Sequence, residues 1–443
     1  MRQPRRADFA KPVKRRWRVP PPLLRDADAP GPEGLLILNE IQGELGVVLW
    51  RSLRSVLLWA EADPSSRLKL FEDGAADRRQ VEILSTVPAD AQPLREALED
   101  LLPVLDKPER ADPEFAGIAC TRIAAWADSQ GARLTALEFL QAGALCCPAN
   151  PGFALAVGRS ARDLAQYGRA ESWLYRAIGL ARQARDWNCY VRAYLQHGTM
   201  LFRRGAIPAA RRSIVKALRR SRRQGYRQGE AWALHDLFVL EGNGGDASKA
   251  LGYASQALEV LGPNHANLPR LAHDIAYFWL EQGEYRHALP VFLATLEAIS
   301  PEARPSVLGS VSRAAAGVGD TSVFEWSREE IVKYGPGPGV AEAWVDVARG
   351  ALALNYYDDA RQAAGLAEAT ARARKEGRII FLAESVMDQI QAERKAAESL
   401  AASRKERTES RENDVLAREL LRSLQHYAPP HEEVVSATVG AGQ

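Results

Sequence analysis

Between Ala111 and Gly377 the chain makes the same statement seven times: an apolar helix, a tight turn, then a second helix rich in alanine. The clearest copy is Leu271 to Leu296, LAHDIAYFWLEQGEYRHALPVFLATL. A hairpin of this size cannot bury its apolar face alone, so it must stack on its neighbours. Such a chain is expected to fold as an all-α solenoid. Its length agrees, because 443 residues exceed the ~250–300 at which a single core stops growing, a limit that end-to-end stacking escapes.

Composition narrows the class. Apolar residues at 46% and charged residues at 26% are ordinary for a globular protein. The net charge is only +2, yet residues 1–32 hold nine Lys/Arg against three Asp, leaving about −4 for the rest. Cys120, Cys146, Cys147 and Cys189 form no CxxC and fall on helical patterns, which reads as reduced, buried small hydrophobes; a vicinal Cys146–Cys147 disulfide is the alternative. The basic N-terminus has no apolar core behind its charges and is not a secretory signal. Leu45 to Ala60 is apolar, but it carries Arg51 and Arg54 and is too short to span a bilayer. A cytoplasmic protein is expected.

Five segments follow from the pattern. Residues 1–32, basic and rich in proline, read as a disordered arm. Residues 33–110 read as an N-terminal helical cap, beginning with one long helix from Glu33 to Ala60 and broken later by Pro64, Pro88 and Pro93. Residues 111–377 form the solenoid. Residues 378–426 read as one long C-terminal helix extending from the body, a candidate for self-association, and 427–443 as a flexible tail.

The repeats resemble the tetratricopeptide repeat. In the clearest copy Ile275, Ala276 and Trp279 match the packing positions of the first helix. Gln282-Gly283-Glu284-Tyr285 matches the turn, and Ala288 and Phe292 match the second helix. Second-helix anchors recur at Ala136, Ala170, Ala210, Ala250, Ala288, Phe324 and Ala360, most of them farther apart than the usual ~34 residues. The sixth unit departs most, placing Phe324 and Ile331 where small residues are expected, so distorted packing is anticipated there.

The resemblance implies a right-handed superhelix whose first helices line a concave face that holds a segment of a partner protein. Carried onto this chain, the groove positions are Arg159, Arg162, Arg192, Thr199, Phe202, Arg203, His273, Tyr277 and Arg349. Arginine suits carboxylates through planar bidentate hydrogen bonds, which favours an acidic peptide or helix as ligand. The alternative is that these arginines are solvated or paired with Asp163 and Glu230.

A second feature is purely electrostatic. Arg203 to Arg227 holds ten basic residues and no acidic one. Arg211, Arg212, Lys216, Arg219, Arg220, Arg222 and Arg223 share one second helix, expected on the convex side, with no aromatic residue among them for stacking. Such a patch attracts phosphates or acidic proteins, or is a solvated face.

Enzymatic readings find no support in the sequence, which has no GxxxxGK[ST], HExxH or GxSxG. Gly242-Asn243-Gly244-Gly245 falls at a repeat turn, and the prolines of Gly335-Pro336-Gly337-Pro338-Gly339 donate no N–H to a phosphate. His265, His273 and His287 lack metal-site spacing and read as single exposed histidines, while Trp173, Tyr175, Trp187 and Tyr190 read as core. No catalytic residue, metal or cofactor is expected. The sequence reading is a non-enzymatic adaptor or scaffold, with a nucleic-acid-associated regulator or a peptide-sensing regulator as alternatives.

Overall fold

The computed structural model describes residues 19–24, 35–243, 246–337, 339–374, 376–397 and 411–426. Among them no strand is formed, and the chain is all-α. It divides into two compact units, Met1–Gly229 and Glu230–Gln443. Five helices open it: α1 (Leu35–Glu40), α2 (Gly43–Glu61), α3 (Ala75–Thr86), α4 (Gln92–Glu99) and α5 (Leu102–Asp106). Consecutive pairs follow. They are α6 (Pro113–Ser129) with α7 (Arg133–Cys146), α8 (Pro151–Asp163) with α9 (Tyr167–Ala184), and α10 (Trp187–Arg203) with α11 (Ile207–Gln224). Next come α12 (Arg227–Asn243) with α13 (Ala247–Leu261), and α14 (Leu268–Glu281) with α15 (Tyr285–Ala298). The last pairs are α16 (Arg304–Val318) with α17 (Thr321–Val332), and α18 (Val340–Ala353) with α19 (Tyr357–Ala373), before α20 (Gly377–Ala397) and α21 (Arg411–Gln425).

Local chemistry sets the ends of the paired helices. Asp112, Asn150, Asp186 and Asp320 accept backbone N–H bonds as N-caps of α6, α8, α10 and α17. The hairpin turns pass through the left-handed region at Gly131, Gly205, Gly283 and Gly319, and also at Ala165 and Asn355. Alanine and asparagine therefore occupy the strained position in two units, so glycine is preferred there but not required. Close approach explains the small residues: a Cβ on Gly198 of α10 would lie 2.6 Å from Ile214 of α11.

Several expectations are corrected. The helix read as continuous from Glu33 to Ala60 breaks between Glu40 and Gly43, because Gly43 takes φ +75 and starts α2 afresh. The break frees Glu40 to accept from the backbone N–H groups of Leu134 and Thr135, at 3.0 and 2.7 Å, a carboxylate at the N-terminus of α7. Within the arm, residues 19–24 are not loose but lie extended along α9; residues 1–18 and 25–32 fall outside the described residues. The end of the expected C-terminal helix, α21, packs back within the second unit, and residues 398–410, over which one unbroken helix was expected, lie outside the described residues. Leu416, Leu420 and Leu424 of α21 are buried, α21 packs on α13, α14 and α15, and Trp279 Nε1 donates to Asn413 at 2.7 Å. Its apolar stripe is thus satisfied within the second unit, which removes the reason to assign it to self-association.

The sixth pair accommodates its bulk. Phe324 and Ile331 are fully buried, and Gly350 of α18 supplies the space, since a Cβ there would lie 3.1 Å from the Phe324 ring. Three thiols are buried, Cys147 is half-buried, and all four are free. Residues Gly244, Gly245 and Pro338, and the tail 427–443, lie outside the described residues.

Candidate partner-binding groove

In the first unit a groove of about 850 Å³ opens along α6, α8 and α10. Its floor is small and apolar, with Ala124, Ala136, Leu140, Leu155 and Ala156. Arg133, Arg159, Arg192 and Arg203 stand around it, together with Asp128, Asp163 and Asp186. Asp163 is already engaged: it accepts from Arg162 Nη2 at 2.7 Å and from Arg203 Nη1 at 3.0 Å. Asp186 accepts the backbone N–H of Cys189 at 2.9 Å as the cap of α10. Among the described residues, Arg133, Arg159 and Arg192 are exposed and have no carboxylate within ion-pair distance. Three guanidinium groups therefore remain available around a partly apolar trough.

The structure sorts the residues expected in the groove. Arg159, Arg192 and Arg203 line it. Arg162 does not: it is buried, and it holds Asp163 and Gln196, so it belongs to the fold. The Thr199 hydroxyl donates back to the Leu195 carbonyl at 3.1 Å, and neither Thr199 nor Phe202 lines the trough. Arg133 was missed because it sits at the start of a second helix, whereas the repeat resemblance points only to first helices.

His273, Tyr277 and Arg349 belong to the second unit, in a polar cluster of its own. Asp274 accepts from or faces two histidines, His235 Nε2 at 2.7 Å and His273 Nδ1 at 3.2 Å. Burial works against its charge, but these bonds outweigh it and hold the Asp274 carboxyl below the usual carboxylate range. Arg349 lies 3.8 Å from Asp346, and Arg313 bridges Glu281 and Asp346. Burial pushes the Asp346 carboxyl up to about 6 and the Tyr277 hydroxyl up to about 12. At Asp346 burial outweighs the attraction of Arg313 and Arg349. His287 is buried and His273 half-buried, so neither is the exposed single histidine expected from sequence. No cluster of three or more metal-ligating side chains occurs among the described residues.

The basic helix also differs from expectation. Its own sequence holds no aromatic residue, but α10 supplies three beneath it. The Arg220 guanidinium lies 4.1 Å from the Trp187 ring and 5.5 Å from Tyr190, and Lys216 lies 5.5 Å from Tyr194. Trp173 is core as expected, whereas Tyr175 is exposed.

No family model matches this sequence, and no curated protein matches it. Solved structures do align with it. A signal-transduction ATPase with a tetratricopeptide-repeat sensor from Pyrococcus horikoshii aligns at 15% identity and TM-score 0.46, over 79% of this chain and 55% of that one. Aspartyl phosphate phosphatase F from Bacillus subtilis aligns at 11% identity and TM-score 0.43, over 83% and 98%. A Rap protein complexed with competence and sporulation factor aligns at 12% identity and TM-score 0.42, over 80% and 99%. Similarity of this order carries nothing about function. The consecutive helix pairs, left-handed turns and small-residue contacts described above make the chain a tetratricopeptide-like repeat protein in its own right.

Proposed function

We propose that the chain is a non-enzymatic, cytoplasmic scaffold that holds an acidic extended or helical segment of a partner protein in the groove of its first unit. The observation that supports this reading is the set of three arginines, Arg133, Arg159 and Arg192, with no ion-pair partner among the described residues, around an apolar floor. Carboxylates supply the complementary charge, while Leu140 and Leu155 receive apolar side chains between them. Asp163, neutralised by two guanidinium groups, adds little repulsion. No helix of the described residues is long and apolar enough to cross a membrane.

The test is a photo-crosslinking residue at Asn188, which lines the groove, followed by capture from the native lysate. The expected product is one stoichiometric partner, cross-linked through an acidic segment, with recovery cut at least tenfold by Arg159→Glu with Arg192→Glu. That loss corresponds to about 1.4 kcal/mol, well within what two charge-assisted hydrogen bonds supply. A cross-link to a basic or neutral segment, or one indifferent to the two reversals, would overturn the reading.

A further inference from the structure

No residue of α9 lines the groove, yet α9 already holds a peptide segment, residues 19–24, Val-Pro-Pro-Pro-Leu-Leu. The segment is gripped through its carbonyls. Trp173 Nε1 donates to Leu23 O at 2.9 Å, Arg176 Nη1 to Pro20 O at 2.9 Å, and the Ser172 hydroxyl to Pro21 O at 3.4 Å. Positions 23, 20 and 19 meet positions 173, 176 and 179 in turn, so the segment runs antiparallel to the helix. Proline has no N–H, so a row of side-chain donors is the complement such a segment requires.

The donors are held by contacts of their own. The Trp173 ring is buried, and the Arg176 guanidinium lies 6.0 Å from its centroid while Nη2 donates to Pro148 O at 2.8 Å. Gly179 completes the seat: the three atoms nearest to a Cβ placed there all belong to Val19, the closest at 3.2 Å. Glycine weakens a helix interior, and here the missing side chain is the space against which Val19 packs. Recognition through carbonyls asks little of the side chains, and Pro21 and Leu23 stay exposed. The attachment is also exchangeable, because three side-chain hydrogen bonds, one of them long, stand against the entropy of ordering six residues.

We propose that this face of α9 is a recognition site for extended proline-rich segments, occupied in cis by residues 19–24 until a proline-rich segment of a partner protein displaces them. The indole N–H of Trp173 and the guanidinium of Arg176 read the incoming carbonyls, and the prolines lower the entropy cost of holding the segment extended. Tethering raises the effective concentration of residues 19–24 to roughly the millimolar range, so the chain's own segment sets a threshold that the partner's must exceed. This site does not depend on the groove reading.

The experiment is fluorescence anisotropy with a fluorescein-labelled Val-Pro-Pro-Pro-Leu-Leu peptide, titrated with full-length protein. The parent should bind it weakly. A variant carrying Pro20→Gly, Pro21→Gly and Pro22→Gly, whose own segment competes poorly, should bind it at least about tenfold more tightly. Adding Gly179→Leu to that variant fills the seat of Val19 and should weaken binding at least about tenfold, with circular dichroism unchanged. A peptide with alanine at its three proline positions should also bind the proline-to-glycine variant at least about tenfold more weakly, a comparison that leaves the protein untouched. Equal affinity in the parent and the proline-to-glycine variant would overturn occupancy in cis. No binding by that variant at about 1 mM, or binding indifferent to Gly179→Leu or to loss of the peptide's prolines, would overturn the site itself.

Discussion

Replacing Arg169 by methionine should destabilise the first unit by about 3–5 kcal/mol, the usual cost of removing one partner from a buried ion pair. Arg169 begins α9 and is 3% exposed, and Glu138 on α7 is 7% exposed. The guanidinium reaches Glu138 Oε1 at 3.1 Å, Gln141 Oε1 at 2.5 and 3.0 Å, and Gln166 Oε1 at 3.2 Å. One side chain thus satisfies three acceptors and ties the first hairpin of the array to the second. Methionine keeps the apolar volume, so the loss isolates the stranded carboxylate rather than a cavity. Adding Glu138→Leu removes that charge and should bring stability back to within about 1 kcal/mol of the parent, a coupling of at least ~2 kcal/mol in a double-mutant cycle. Urea unfolding followed by circular dichroism gives the free energies. Hydrogen exchange in peptides from α7 and α9 assigns them to this unit. Arg169→Met within about 1 kcal/mol of the parent, or a double variant worse than the sum of the singles, would refute the reasoning.

Three further outcomes are expected. Asp346, raised by burial to about 6 from an ordinary 3.8, binds its proton more tightly folded than unfolded; protonation therefore stabilises fully below about pH 4, and this is lost as pH rises through about 6. The span is about 3 kcal/mol, and Asp346→Asn should flatten it in melting curves taken from pH 4 to 7.5. Gly309→Ala should lower the melting temperature and cost about 1–3 kcal/mol, because its Cβ would lie 2.5 Å from the Ala343 Cα; Gly252→Ala, with nothing within 4 Å, should be neutral or raise stability by up to about 1 kcal/mol. Trp279→Phe removes the donor to Asn413 and should cost about 1 kcal/mol, read as faster hydrogen exchange in residues 411–425.

The hairpin pattern was legible because it is local. Alternating apolar and alanine-rich segments, with capping residues at Asp112, Asn150, Asp186 and Asp320, specify helices without reference to anything distant. The groove was legible in part. Arg159, Arg192 and Arg203 could be placed from the repeat register, but Arg162 could not be separated from them. Its burial depends on Gln196, 34 residues away, and one residue type serves equally as fold and as ligand contact. The aromatic support of the basic helix was invisible for the same reason, since Trp187 and Tyr190 belong to the preceding helix.

From its sequence alone this protein was bound to be an array of paired helices with a basic N-terminus and a basic second helix, since period, turn residues and charge are properties of neighbouring positions. The tertiary structure alone decided which charges are spent and which remain. It paired Arg162 and Arg203 with Asp163 and left Arg133, Arg159 and Arg192 without a carboxylate partner among the described residues; it laid residues 19–24 on α9 and turned α21 back onto Trp279. Arg203 and Asp163, Leu23 and Trp173, and Asn413 and Trp279 lie from 40 to 150 positions apart. Burial and electrostatic pairing act through space, and sequence distance says nothing about either.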